Sequence, residues 1–359
     1  MQVKELINTE DTYGSTILQL EISGKNVCYP IINSIRKASI NQIPIYAFHP
    51  DKIKITRNSS VYDNSYMLNH LSQLPITKFN HQIKFLPAKY YENINFAEPK
   101  IERFVEDIYQ INYSLKVKND GIEPILNVST NDLLISITNT GEMDKLSSDE
   151  LIPVKDKYSE KYPILLSQLR IGEEIEFSMK GVIATGELNG IFNASNTYYK
   201  EISPEKYLLT VESNGQLKEY EILVRACEII IEKLKLILEN LKSEQLNMMQ
   251  SNNSIILEIL REDHTCGGAI NWVLQNMKDV KFSGINKPDF MQKIVNIVLQ
   301  TNDDITPVLC LEKAINETIH IFQDYKQEFV KLYKGTKDVS TKDVSTKDIS
   351  KKEVSKKKK

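Results

Sequence analysis

The chain has 359 residues, 41% of them hydrophobic, which is enough for about two or three domains with cores of their own. Its formal net charge is −3, but residues 335–359 contain nine lysines and four acidic residues, so the remainder carries a net charge of −8. An acidic body argues against a broad nucleic-acid-binding face, since phosphate contacts need clustered lysines and arginines, and any contact with DNA or RNA is expected to be indirect or confined to the tail.

The first predicted elements are a strand, a short helix and a second strand. Residues Thr16–Ile22 alternate between two faces, as a strand does. Ile43–Phe48 is again extended, with Pro44 at an edge or entry position. Between these strands the apolar residues have helical spacing, and they are Ile31, Ile32, Ile35 and Ala38.

From about Pro50 the pattern changes to short extended pieces separated by Asn, Pro and Lys. This change indicates an inserted, mainly β domain over residues 51–165. Within it we predict a helix over Asn64–Leu74 and strands over Tyr109–Val117 and Leu133–Thr138, and we expect residues 139–161 to form a loop.

The first unit is expected to resume at about residue 166 and to end in a long helix. Gly172–Val182 and Tyr207–Val211 are predicted strands, and the helix is predicted from about Tyr220 to Met248. Its apolar stripe is long enough to pair with a partner helix, and it consists of Val224, Cys227, Ile231, Leu234, Leu238 and Leu241.

After a polar joint at Gln250–Asn253 the same plan is repeated without an insertion. The strand Ser254–Leu260 leads to a polar turn in which Asp263 or Thr265 is expected to cap a short helix, and Gly267-Gly268 would let another backbone approach closely. Strands are predicted over Val280–Ile285 and Lys293–Leu299, and Thr306-Pro307 starts a final long helix. One face of that helix is apolar, with Leu311, Ile315, Ile319, Phe322, Tyr325 and Phe329.

Two further features limit the kinds of site to expect. Cys28, Cys227, Cys266 and Cys310 are far apart in sequence and none belongs to a CxxC pair, so they are interpreted as core residues, and neither a metal site, a disulfide framework nor a cofactor is expected. The lysine-rich segment 335–359 repeats TKDVS with almost no apolar residue to bury, so we expect it to be disordered and solvated.

The order of several short motifs resembles the alpha-like assembly subunits of cellular DNA-directed RNA polymerases. Asn33-Ser34-Ile35-Arg36-Lys37 with Ile43-Pro44 is similar to the family's N-A-L-R-R…I-P signature, and NSYMLNHLSQLPI at residues 64–76 to its D-E-F-L-A-H-R-L-G-L-I-P segment. LRIGEEIEFSMKGV at 169–182 resembles the strand that follows the family's inserted domain. EDHTCG at 262–267 is similar to the E-D-H-T-L-G of the eleventh subunit of eukaryotic polymerases. The whole resembles a fusion of the third-largest and eleventh subunits, as found in African swine fever virus and other large cytoplasmic DNA viruses.

The resemblance implies an α+β fold in which two alpha-like dimerisation units pair within one chain. Residues 1–50 and 166–249 would form the first unit, 51–165 the inserted domain, 250–334 the second unit and 335–359 the tail. A large polymerase subunit would contact Asn33, Arg36 and Lys37. The intramolecular pairing would use Ile31, Ile35, Leu234, Leu238, Leu241, Asp263, His264, Thr265, Gly267, Val273, Leu311, Ile315, Ile319 and Phe322.

The implied function is that of a non-catalytic scaffold, with no catalytic residue, that holds the two largest polymerase subunits together with small zinc-binding subunits. No homodimer and no membrane contact are expected, since the two units would pair within the chain and no apolar run could cross a bilayer. An intracellular, soluble protein is expected, located in the host cytoplasm and the virion if it is viral. Two features depart from the family: Asn193-Ala194-Ser195-Asn196 replaces an H-A-K-W segment, and residues 51–165 contain no cysteine.

A different class of function also fits one part of the sequence. Cys266 and His264 lie at a predicted helix start, where a thiol pKa can be lowered, so a stand-alone thiol-dependent hydrolase is the alternative. Such an enzyme needs a third, orienting residue and a pocket, and the sequence identifies neither.

Overall fold

The computed structural model describes residues 1–10, 16–77, 80, 83, 109–121, 123–139, 142–146, 163–243, 247–250, 253–262, 264–289, 291–302 and 305–356. Within these ranges the chain forms five α-helices and seventeen strands, which are arranged in five sheets. The predicted α+β class is therefore confirmed, and the repeated plan of strand, short helix, strands and long helix is present twice.

The first unit is a four-stranded antiparallel sheet with two helices packed on one face. Its sheet order is β1-β2-β13-β12, and the strands are β1 (Gln2–Glu10), β2 (Thr16–Ser23), β12 (Ser195–Ser203) and β13 (Lys206–Ser213). The helices are α1 (Tyr29–Asn41) and α3 (Glu219–Lys242). A short pair, β3 (Ile45–Ala47) with β11 (Val182–Ala184), leads into and out of the insertion. Leu18, Leu20 and Ile22 alternate with partly exposed neighbours on β2, so one face of the sheet is buried.

The inserted domain has its own sheet and its own hydrophobic core. Five antiparallel strands have the order β4-β10-β5-β7-β8, and they are β4 (Ile53–Asn58), β5 (Gln110–Lys118), β7 (Leu134–Asn139), β8 (Glu142–Leu146) and β10 (Glu174–Lys180). A second pair consists of β6 (Ile125–Ser129) and β9 (Leu165–Arg170), and α2 (Asn64–Ser72) packs beside β4. Phe48, Met67, Tyr113 and Phe177 are among the buried residues of this second core.

Residues 166–180 were expected in the first unit, but they lie in strands that pair with those of the inserted domain. β9 pairs with β6, and β10 lies between β4 and β5. The apolar alternation of Ile175, Phe177 and Met179 fits any half-buried sheet, so the pattern shows a strand without showing its partner. We therefore propose a boundary near Gly181 rather than at residue 166.

The second unit repeats the four-stranded sheet and two helices of the first, without an inserted domain. Its antiparallel sheet has the order β14-β15-β17-β16, with β14 (Asn247–Gln250), β15 (Ser254–Leu260), β16 (Val280–Asn286) and β17 (Ile294–Thr301). Its helices are α4 (His264–Gln275) and α5 (Pro307–Lys356).

Two helix ends differ from expectation. α3 ends at Lys242 rather than Met248, because the chain turns at Ser243 and Met248 lies in β14, which pairs with β15. α5 continues through the TKDVS repeats to Lys356, where disorder was expected. No helix in the described ranges is long and apolar enough to cross a membrane.

Candidate functional site

The two units are joined by one continuous hydrophobic core. The long helices α3 and α5 pack against each other, and α1 packs against α4. Buried residues from both units belong to this single cluster, and they include Ile31, Ile35, Leu234, Leu241, Ile270, Val273, Leu311, Ile315, Phe322 and Phe329. We call this contact region the seam. Neither unit could keep these side chains away from water alone, so the seam is part of the folding of the whole chain.

The short helices α1 and α4 approach each other closely. A Cβ atom added to Gly268 would lie 3.9 Å from Cβ of Pro30 in the other unit, which is an ordinary van der Waals distance. Nearby, the buried hydroxyl of Ser34 donates a hydrogen bond of 2.7 Å to the carbonyl oxygen of Thr265. The seam thus contains a buried hydrogen bond between the two units. The sequence pattern did not predict it.

The long helices add polar contacts along the seam. Tyr325 on α5 is buried, and its hydroxyl donates to the carbonyl oxygen of Asn26 at 3.2 Å. Burial raises the pKa of Tyr325 well above its usual value, so the side chain stays neutral. Lys326 forms an ion pair of 2.8 Å with Glu228 of α3, but both side chains are well exposed to solvent.

A more buried group of charges lies where α3 meets the start of α4. Lys233 Nζ is 3.1 Å from an oxygen of Glu262, and these side chains are only 16% and 12% exposed. Burial alone would lower the pKa of Lys233, but the carboxylates of Glu262 and Glu187 and the sulfur of Cys266 together raise it. Glu187 in turn pairs with Lys293 and accepts a hydrogen bond of 3.0 Å from Gln42. Each of these two ion pairs takes one member from each unit.

A cavity of about 810 Å³ opens elsewhere along the seam. Val27, Cys28 and Glu205 line it from the first unit, and Trp272, Met277 and Ile321 are among the residues that line it from the second. Burial raises the pKa of the Cys28 thiol to about 11. This thiol is therefore protonated at neutral pH, and Cys28 behaves as a core residue.

The structure places most of the residues expected at the seam in the common core, with a few exceptions. Leu238 is only partly buried but packs against the same core, and Thr265 is buried. Gly267 packs inside its own unit, because an added Cβ would lie only 2.8 Å from Cγ1 of Val295. His264 is exposed at the first position of α4, and Asp263 lies outside the described residues.

The residues expected to meet a large subunit lie on one side of α1, away from its buried face. Asn33, Arg36 and Lys37 are each partly exposed, and Nε of Arg36 donates to Oδ1 of Asn33 at 3.0 Å. Tyr29, at the start of the helix, is 53% exposed, and its ring meets that of Tyr199 edge to face at 6.1 Å. We call Tyr29, Asn33, Arg36 and Lys37 the α1 patch.

The geometry does not assemble the thiol site that the sequence also permits. The Cys266 side chain is completely buried, whereas His264 is exposed. Two residues apart on a helix, the side chains point about 200° away from each other. Among the described residues, no three or more His, Cys, Asp and Glu side chains are grouped as a metal ion would require.

Comparison with known proteins matches the same two parts of the chain. Residues 21–234 and residues 254–328 each match families described as the RNA polymerase Rpb3/Rpb11 dimerisation domain. Over 321 residues the chain is 25% identical to R470 of Acanthamoeba polyphaga mimivirus, a protein named as a DNA directed RNA polymerase subunit, and the alignment covers 85% of this chain and 88% of the relative.

Part of the chain also matches two further polymerase subunits. Over 88 residues it is 30% identical to the DNA-directed RNA polymerase II subunit rpb11 of Dictyostelium discoideum, and the alignment covers 24% of this chain and 73% of that protein. The DNA-directed RNA polymerases I and III subunit RPAC2 of Saccharomyces cerevisiae is 28% identical over 85 residues, or 24% of this chain and 60% of its own length. With one match in each of its paired units, the chain belongs to the RNA polymerase Rpb3/Rpb11 dimerisation domain family.

Proposed function

We propose that this chain is a non-catalytic assembly subunit of a multisubunit DNA-directed RNA polymerase. The observation that carries the proposal is the seam, in which the two parts of one chain that match the dimerisation domain share a single hydrophobic core. Relatives that match about a quarter of the chain are named as polymerase subunits, which supports a role for the pair as one structural unit of such an enzyme. The proposal assigns the chain no catalytic residue.

The proposed partners are the two largest polymerase subunits and small zinc-binding subunits. DNA and RNA would be reached only through the complex, because the body of the chain carries a net negative charge. A second copy of the chain is not part of the proposal, since the seam already occupies the pairing surfaces of both units. The mimivirus relative favours a viral polymerase, and with it the host cytoplasm and the virion as locations.

The α1 patch is the proposed contact with a large subunit. Ile31, Ile35 and Ala38 occupy the buried face of α1, which leaves the partly exposed Arg36 and Lys37 toward the outside of the unit. Arginine and lysine with a neighbouring aromatic side chain suit a partner surface that carries carboxylates and aliphatic groups.

Charge reversal at the α1 patch tests the proposal. The variant Arg36→Glu with Lys37→Glu should fold like the wild type but retain at most about a tenth of the large subunits in affinity purification, because reversed charges at a contact cost several kcal/mol. The matched control is Lys54→Glu with Lys180→Glu, which changes the charge equally at two exposed positions of the inserted sheet. Normal recovery of the large subunits by the folded α1 variant would contradict this interface.

A further inference from the structure

The two units can be compared position by position, because their helices begin at equivalent points. Glu262 precedes the first residue of α4 by two positions, and Val27 precedes the first residue of α1 by the same number. Lys233 is the fifteenth residue of α3, and Ile321 is the fifteenth residue of α5. Two backbone features agree with this alignment: Arg261 and Asn26, the positions just before, have positive φ angles of 66° and 68°.

The seam therefore contains the same pair of positions twice, with charged residues at one place and apolar residues at the other. At one place Lys233 of the first unit forms the buried ion pair with Glu262 of the second. At the equivalent place Ile321 of the second unit and Val27 of the first both line the cavity and are almost fully buried. Only the combination of one first unit with one second unit gives both places matched side chains.

We infer that the Lys233–Glu262 ion pair makes each unit select the other kind of unit as its partner. If two first units paired, each Lys233 would face the other copy's Val27, and if two second units paired, each Glu262 would face Ile321. Either arrangement places charges in an apolar setting without their direct partners, which is strongly unfavourable. The pair from Glu187 to Lys293 adds to the selection, because it also joins one unit to the other.

The geometry around Lys233 limits how such a mispaired assembly could compensate. Glu187 belongs to the first unit and acts electrostatically on Lys233, but its direct ion pair is with Lys293 of the second unit. A pair of first units would remove Lys293 and Glu262 together. A pair of second units would lose Lys233 and Glu187 in the same way, so both mispaired assemblies lose these two ion pairs.

This inference rests on the pairing of units that the proposed function uses, but its experiment needs no other polymerase subunit. Its failure can therefore be distinguished from a failure to bind the large subunits. The test variant is Lys233→Ile with Glu262→Val, which copies the apolar pair at the equivalent place into the full chain. The matched control is Lys326→Met with Glu228→Gln, which removes an ion pair that also joins α3 to α5 but is exposed to solvent.

Two differently tagged full-length copies of each form are co-expressed, and the amount of the second copy recovered with the first is measured. We expect the apolar variant to give at least tenfold more mixed complex than the wild type, and the control to match the wild type. Chemical cross-links between α3 helices of isotopically distinct copies, through the exposed Lys235, should identify pairs of first units. A folded apolar variant that stays as monomeric as the wild type would overturn the inference.

Charge exchange provides a second test that applies even if the apolar variant does not fold. Lys233→Glu in one chain places two carboxylates together, and Glu262→Lys in another chain places two ammonium groups together. Each single variant should be poorly soluble alone, but co-expression should yield a soluble complex of the two chains in equal amounts, since exchanged units restore both ion pairs. Soluble monomers of each variant, or no rescue on co-expression, would count against the selection.

Discussion

Cutting the chain between its two units tests whether the seam holds them together without the covalent link. We consider residues 1–245 and 246–359 expressed as separate polypeptides in one cell. A short covalent link provides an effective concentration in the millimolar range, so at micromolar protein its removal costs about 4 kcal/mol. The burial of apolar side chains in the seam offsets this cost. Leu311, Ile315 and Phe322, for example, are completely buried and stabilise the association by roughly 1.5–3 kcal/mol each.

Three such side chains alone outweigh the lost link, and the buried face of α3 adds to them. The two polypeptides should therefore co-purify in equal amounts through a tag on either one, and remain together in gel filtration at micromolar concentration. Ile315→Asp should abolish the association, because an unpaired carboxylate in this core costs several kcal/mol. Two soluble polypeptides that ignore each other, or association unaffected by Ile315→Asp, would refute the reasoning.

Two further predictions concern residues at or near the seam. Gly268→Ala should leave the free energy of unfolding unchanged or raise it by up to about 1 kcal/mol through helix propensity. Gly267→Ala should lower the free energy of unfolding by about 1–2 kcal/mol relative to Gly268→Ala, because the new methyl group meets Val295. Urea unfolding of the two variants measures the difference. Alkylation of Cys28 in the folded protein should accelerate about tenfold per pH unit from pH 7 to 10, because only the thiolate reacts and burial raises the thiol pKa to about 11. A rate that levels off near pH 9, or faster labelling of the buried Cys266, would show that this account of the thiols is wrong.

Sequence patterning succeeded where a period of two or of 3.6 residues was long and uninterrupted. The stripe from Leu311 to Phe329 correctly predicted the second long helix and its buried face. The alternation over Thr16–Ile22 correctly predicted strand β2. Periodicity did not determine which sheet a strand joins. For that reason Glu174–Lys180 was expected in the first unit although it completes the inserted sheet.

The polar contacts of the seam were missed for a different reason. They join residues far apart in sequence, such as Ser34 and Thr265, and no local pattern reports such pairs. One signal was present: Lys233 stands three residues after Ile230 and four before Ile237, on the buried side of α3. A lysine at such a position indicates a buried partner of opposite charge, although the sequence alone does not identify it as Glu262.

If the paired units form one assembly subunit of a multisubunit RNA polymerase, the full-length chain should be recovered together with much larger subunits. The most direct measurement is the native mass and composition of the complexes recovered through a tag on the full-length chain, from cells that produce it with its natural partners. We expect one copy of this chain with two much larger chains, in a complex that incorporates nucleotides on a DNA template although the isolated chain does not. A chain recovered free of larger subunits, or nucleotide incorporation by the isolated chain, would contradict the account.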